Sequence, residues 1–473
     1  MLTLPKLPRT AIAGPRAVPL LGTMGSVLRF FGDPVGTLLS LQRRFGKLAT
    51  LSDGDPAMIA ALHSDYNREI LSDNRLFFNF AQVPLPVPKG SAPERLLDAL
   101  TSMNGDRHKQ HRRLLMPAFQ KAALDGYRAE TIALTERTVG RLRAGETIDL
   151  NAAMVDLTLR IALKCLFGVE PAEGEENLGD MATQFLSGLI SPMAALLPLM
   201  VPGTPYHRFM KLSDRLEARL RRMIAERRER PDARRDMLSI LLEAHDEDGT
   251  RLTDSELVGH SAVMYVAGHE TTAYTLSWTL FLLSQYPQSL AEVAAESREA
   301  LGGAPPTVDT KLPLLDRVIK ESQRLLPATP YMFIRQATAG FRLGGHDLPA
   351  DTGFIVSPLI THRQPEIYEE PLRFNPERWT RITPSPYEYM PFGAGPRLCI
   401  GMGFAAQTLR IVLPMLLSRF SFELVDGATV SRKVQGITMG PKHGLPMRVL
   451  GDGATVKRAG RIRGDIHELV QLN

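Results

Sequence analysis

From about residue 145 to 300, apolar residues recur at three- and four-residue spacing, the period of helices with one buried face. The longest run begins after Thr253, which with Glu256 three positions on forms a capping box. It continues through Leu257, Val263, Met264, Ala267, Tyr274, Leu276 and Leu280, and meets a hard stop at Pro287. About thirty residues at 1.5 Å each make a helix of roughly 45 Å, long enough to cross a domain. Shorter stretches with turn signals, near residues 47–61, 340–359 and 421–449, predict small β-sheets supplied from both ends of the chain. Neither a linker nor an internal repeat is visible. The pattern therefore predicts a mainly α fold with small β-sheets, organised as one domain over residues 1–450. Residues 451–473 follow as a C-terminal extension, either a basic surface tail or a segment docked on the body.

The longest helix is interrupted in its middle by Gly268, His269, Glu270, Thr271 and Thr272. A buried carboxylate needs a partner or a task. His269-Glu270 begins like a zinc-protease H-E-x-x-H helix, but the second ligand position is Ala273, so a zinc site is excluded. Two readings remain open from the residues alone. In one, the glycine relieves crowding and the threonines bond back to carbonyls a turn earlier. In the other, the polar residues are catalytic.

Composition narrows the chemistry. A net charge of +5 over 473 residues permits an acidic protein partner but does not argue for nucleic acid. The arginine-rich stretch Asp214–Asp236 interleaves acids and lacks stacking aromatics, so it reads as a solvated helix face. With only Cys165 and Cys399, a disulfide framework, a four-cysteine zinc site and a cysteine-ligated iron–sulfur cluster are excluded. Cys165 sits in an apolar helical context and reads as a small core residue. The prolines at 5, 8, 15 and 19 break up the N-terminus, and Pro192 and Pro198 break the apolar run Phe185–Val201. The expectation is a cytoplasmic protein without an integral membrane anchor, in which residues 185–201 form core or a lid that touches lipid only peripherally.

Cys399 lies in MPFGAGPRLCIGMGF, where Phe392, Gly393, Gly395, Pro396 and Gly401 surround it and a helix follows. Glycines let backbone amides turn toward the sulfur, and the helix N-terminus adds partial positive charge, both lowering the thiol pKa. On these grounds the cysteine is a metal ligand or a nucleophile. Here the sequence resembles the cytochrome P-450 family of haem-thiolate monooxygenases, in its soluble bacterial-type form. Phe392, Gly395, Arg397, Cys399 and Gly401 match its F-x-x-G-x-R-x-C-x-G signature. Ala267 to Thr272 match its oxygen-activating helix, Glu321 and Arg324 its E-x-x-R, and Phe374 to Trp379 the segment carrying Arg378.

The resemblance implies a fold with the long central helix lying over the haem, and haem b held through Cys399 with dioxygen as co-substrate. His108, Arg112 and Arg335 approach the propionates, while Phe392, Gly393, Arg397 and Gly401 complete the cofactor site. It further implies that Thr271 bonds the activated oxygen, that Glu270 relays protons, and that Ala267 and Gly268 leave room beside the porphyrin. Glu321, Arg324 and Arg378 become a structural network behind the cysteine loop; the resemblance assigns His269 no role, and it reads as a satisfied structural histidine. Met264, Ala267, Tyr331, Met332, Ile437 and Thr438 are the expected pocket contacts, with Tyr331 and Thr438 as polar ones. The implied reaction inserts one oxygen atom of O2 into a lipophilic small molecule, with a fatty acid or terpenoid as the expected class. No dinucleotide fingerprint is present, so a ferredoxin or flavodoxin-type donor with its reductase is expected to supply electrons, steered by Lys109 and Arg113. A haem-thiolate sensor and a peroxide-driven or isomerising enzyme are the competing readings.

Overall fold

The long apolar run forms a helix over Asp254–Gln285 in the computed structural model, which describes residues 4–80, 85–170, 178–189, 191–229 and 236–472. Parts of the loop before His108, of the 185–201 run and of the arginine-rich stretch lie outside these residues. The capping box forms: Thr253 Oγ1 accepts from the Glu256 amide at 3.3 Å, and Glu256 Oε2 accepts from the Thr253 amide at 2.9 Å. The helix ends at Tyr286, because Pro287 cannot continue its ladder. Leu276, Trp278, Phe281 and Leu283 are fully sealed, packed among the helices Leu150–Phe167, Pro313–Leu325 and Met402–Leu417. Among the described residues no helix is long and apolar enough to cross a membrane.

The β structure comes from both chain ends, as the pattern predicts. A five-stranded sheet runs in the order Leu48–Ser52, Asp55–Ala61, Gly353–Val356, Arg335–Ala337, Phe77–Asn79. Within this sheet the Asp55–Ala61 and Gly353–Val356 pair is parallel and the other described pairs are antiparallel. A second sheet orders Thr147–Asp149, Pro446–Gly451 and Phe420–Leu424, and a hairpin joins Arg432–Gln435 to Thr438–Pro441. The arginine-rich helix Pro205–Glu229 is laced with ion pairs, Glu217 accepting from both Arg95 and Arg221.

The C-terminal extension docks on the body. Ile466, Leu469 and Val470 are buried, and the Val430 amide donates to the Arg463 carbonyl at 2.8 Å. Arg432 meets Asp465 and Glu468, at 3.1 and 2.9 Å. Arg363, itself buried, donates to the carbonyls of Leu359 and Leu469 at 2.9 and 3.0 Å. Ile466→Ala should therefore cost about 2–5 kcal/mol, the usual range for emptying a sealed aliphatic site. Urea unfolding of the full chain measures this; a change under about 0.5 kcal/mol, the surface range, would mean the segment is only laid on the surface.

Candidate active site

The cysteine loop is shaped by backbone. Gly393 and Gly395 adopt φ of 79° and 70°, which only glycine takes without strain, and a Cβ at Gly395 would overlap the Leu71 carbonyl. The resulting turn lets the Cys399 amide donate to the Phe392 carbonyl at 2.9 Å. It ends at Gly401, the N-cap of the helix Met402–Leu417. Protein crowds the Cys399 sulfur on most sides, yet the residue keeps exposed surface. Burial pushes its thiol up, while the Gly401 N–H and the Arg112 charge pull it down. The net direction is upward, against the expectation from the helix N-terminus: desolvation outweighs one amide and one guanidinium. The other cysteine, Cys165, is buried in the helical core, its thiol pushed up to about 12 by burial.

Beside the sulfur stands a cluster of bases. The helix Gly105–Leu115 presents His108 and Arg112, the strand Arg335–Ala337 presents Arg335, and the cysteine loop presents Arg397. Burial and neighbouring positive charge depress three of them. Burial first, then Arg397, Arg112 and Arg335, push His108 down to about 4. Burial and Arg397 take Arg335 to about 9, and burial and Arg112 take Arg397 to about 10. Asparagines hold the two arginines in place. Arg397 Nη2 donates to Asn104 Oδ1 at 2.5 Å and to the Met103 carbonyl at 2.7 Å, and Arg335 Nη1 donates to Asn79 Oδ1. Among the described residues no carboxylate pairs with any of the four bases, and His108 Nδ1, Arg335 Nε and Arg397 Nε are buried without partners. Such a site fits a ligand bearing carboxylates. The haem propionates have that chemistry, and the adjacent Cys399 sulfur would be the donor to the iron. Asn79 and Asn104 were not foreseen; Asn104 stands where an N-cap belongs, but its side chain makes no cap bond and faces Arg397 and Asn79 instead.

Behind the loop, the buried carboxylate Glu321 is fully engaged. Arg324 Nε and Nη2 donate to its two oxygens at 2.9 Å, Arg378 Nε at 3.0 Å, the Asn375 amide at 2.9 Å and Trp379 Nε1 at 3.1 Å. The surplus positive charge is met by carbonyls, among them those of His362, Pro371 and Glu369. The network reaches the cysteine loop through Tyr389, whose ring packs 4.6 Å from Trp379, and through the Met390 amide, which donates to His362 Nε2 at 2.9 Å.

On the central helix, Ala267 is exposed and Met264 and Thr271 are half-buried, whereas Tyr265, His269, Glu270 and Thr272 are buried. Thr271 Oγ1 donates to the Ala267 carbonyl at 2.8 Å, the back-bond of the structural reading, and this leaves its oxygen lone pairs toward the open side. Glu270 is buried and meets Thr438 Oγ1 at 3.3 Å. His269 is buried with Nδ1 bonded to the Tyr265 carbonyl at 2.9 Å, a satisfied structural histidine. A Cβ at Gly268 would meet only Leu166, at 3.7 Å, an ordinary contact. One expectation needs correction. Tyr331 is sealed against Phe30 and donates its hydroxyl to the Gly436 carbonyl at 2.6 Å, which removes it as a polar pocket contact. Ile437 packs on the same apolar cluster, and Met332 lies beside Gly393 of the cysteine loop.

The family model for cytochrome P450 matches residues 12–446. The chain belongs to the cytochrome P450 family. This P450 is 32% identical to cyclooctat-9-en-7-ol 5-monooxygenase of Streptomyces melanosporofaciens, covering 90% of this chain and 92% of the relative. It is 30% identical to pentalenene oxygenase of Streptomyces avermitilis, covering 89% and 94%. Among solved structures, the retinoic acid-bound cyanobacterial CYP120A1 superposes with a TM-score of 0.79 at 25% identity, covering 95% of this P450 and all of that chain. The protein is therefore a haem-dependent monooxygenase that uses a cysteine thiolate ligand and O2, acts on a lipophilic substrate and draws electrons from a redox partner.

Proposed function

We propose that this P450 hydroxylates a carbocyclic terpenoid, with Cys399 as the iron ligand and Glu270 and Thr271 as the acid–alcohol pair. The observation that carries the site assignment is the carboxylate-free cluster His108, Arg112, Arg335 and Arg397 beside the Cys399 sulfur. These four would hold the propionates, and the Gly401 N–H would donate to the sulfur. The bound haem supplies binding and reductive activation of dioxygen. Thr271 Oγ1, its proton held by the Ala267 carbonyl, accepts a hydrogen bond on the open side, and Glu270 holds the proton to be delivered. Met264, Ala267 and Met332 supply an apolar wall that keeps water from the reacting carbon.

A terpenoid is favoured over a fatty acid for two reasons. The proposed wall residues include no cation to receive a fatty-acid carboxylate, and the names of the two Streptomyces relatives denote action on carbocycles. We further propose that the electron donor is a ferredoxin or flavodoxin-type protein docking near exposed Arg113. Lys109 contributes less, because Asp106 pairs with it at 2.9 Å.

The test is a spin-state titration of the ferric protein with cyclic terpene hydrocarbons and alcohols against fatty acids of similar size. Carbocycles should displace the iron-bound water and give a high-spin shift. With a surrogate redox pair and oxygen, the same compounds should yield products one oxygen atom heavier. Shifts with fatty acids alone would overturn the substrate class, and a shift without product would overturn hydroxylation of these carbocycles.

A further inference from the structure

The turn of the hairpin Arg432–Gln435/Thr438–Pro441 touches two elements at once. Gln435 Nε2 donates to Ser187 Oγ at 2.6 Å, on the helix Leu178–Leu189. Thr438 Oγ1 lies 3.3 Å from Glu270 Oε2 on the central helix. The turn is pinned against movement. Tyr331 donates to the Gly436 carbonyl at 2.6 Å, the Met439 amide to the Ala328 carbonyl at 2.8 Å, and Trp278 Nε1 to the Met439 carbonyl at 3.1 Å. A Cβ at Gly440 would overlap the Tyr274 ring, so hairpin and central helix are in close contact here as well.

The Thr438 hydroxyl has one proton and two acceptors within reach, the Glu270 carboxylate and the Gln435 carbonyl at 2.9 Å. With Glu270 ionised, the hydroxyl can donate to only one of them. When Glu270 carries a proton, the acid donates to Thr438 Oγ1 and the hydroxyl donates to the Gln435 carbonyl, so every group is satisfied. We propose that Thr438 is a positioning residue for Glu270. It holds Oε2 in one place in both protonation states, turning its own proton from Glu270 to Gln435 as the acid is loaded from solvent. The proposal rests on reading Glu270 as the proton relay.

Thr438→Val keeps shape and removes the hydroxyl, Thr438→Ser restores the hydroxyl, and Glu270→Gln removes the acid. Each is made in the full-length holoprotein and assayed with a surrogate redox pair and the terpene that gives the largest spin shift. Loss of one hydrogen bond of ordinary strength should lower kcat and the fraction of electrons recovered in product about 2- to 10-fold in Thr438→Val. KM should stay near its wild-type value, and Thr438→Ser should recover most of the coupling. Isotope-edited infrared spectra give a readout apart from turnover: the glutamate band absent from Glu270→Gln should shift in Thr438→Val and return in Thr438→Ser. If Glu270→Gln lowers coupling while Thr438→Val changes neither coupling nor the band, the positioning role is overturned and the relay stands. Failure of Thr438→Ser to rescue would also overturn it, since shape rather than the hydroxyl would be responsible. If Glu270→Gln leaves coupling unchanged, the relay reading itself fails, and Thr438 with it.

Discussion

Cys399→Ser is expected to yield a folded protein that has lost the thiolate signature in the spectrum of its reduced carbon monoxide complex, together with all measurable oxygen insertion. The substitution is nearly isosteric, and the loop geometry comes from Gly393, Gly395 and the Cys399 backbone amide, none of which involves the sulfur. What changes is the donor. A hydroxyl is far less acidic than a thiol and supplies little of the electron density that favours O–O cleavage. The cation cluster is untouched, so haem binding should weaken rather than vanish, with His108, Arg112, Arg335 and Arg397 still offering charge to the propionates. The same substitution at Cys165 separates the two cysteines. That residue lies in the helical core with Thr131 Oγ1 4.0 Å away, so Cys165→Ser should change stability by roughly 1 kcal/mol and leave the spectrum intact. Retention of the thiolate spectrum by Cys399→Ser, or its loss from Cys165→Ser, would defeat the ligand assignment.

The elements most legible in the sequence are those with a long period or a fixed spacing. The central helix is announced by Thr253, Glu256 and Pro287, and all three act as their chemistry suggests. The cysteine loop is legible because glycines recur at positions where φ must be positive. Three-residue strands such as Phe77–Asn79 and Arg335–Ala337 carry no period of their own and exist through pairing with each other. The same reason hides Asn79 and Asn104, whose role depends on arginines about 256 and 293 positions away. Tyr331 was misplaced because a spacing argument sets a residue near a pocket without saying which way its side chain turns; packing against Phe30 decides that. The acceptor pair around the Thr438 hydroxyl could not be read at all, because it arises where a hairpin turn meets a helix from another part of the sequence.

Glu321→Gln is expected to destabilise the protein by about 3–5 kcal/mol, among the largest effects available to a single substitution here, because it leaves buried guanidinium charge without its counter-ion. Glu321 and Arg324 are both 0% exposed, so water cannot replace what is lost. The amide oxygen can still accept from the three donors that meet Oε1, but its NH2 group then faces Arg324 Nε and Trp379 Nε1, donor against donor. The carbonyls of His362, Pro371, Arg373 and Glu369 would continue to hold the guanidinium groups, which favours local loosening over complete collapse. That loosening has a direction. Trp379 loses its acceptor, its contact with Tyr389 slackens, and Tyr389 precedes the Met390–Phe392 segment whose Phe392 carbonyl accepts from the Cys399 amide. Haem content should therefore fall along with the urea midpoint, and the remaining holoprotein should drift toward a spectrum lacking the thiolate signature. Arg317→Gln, on the same helix as Glu321, breaks a partly exposed pair with Glu377 at 2.8 Å; it provides the contrast and should cost under about 1 kcal/mol with no loss of haem. Equal losses from the two substitutions would mean that general helix stability, rather than support of the cysteine loop by the buried carboxylate, explains the effect.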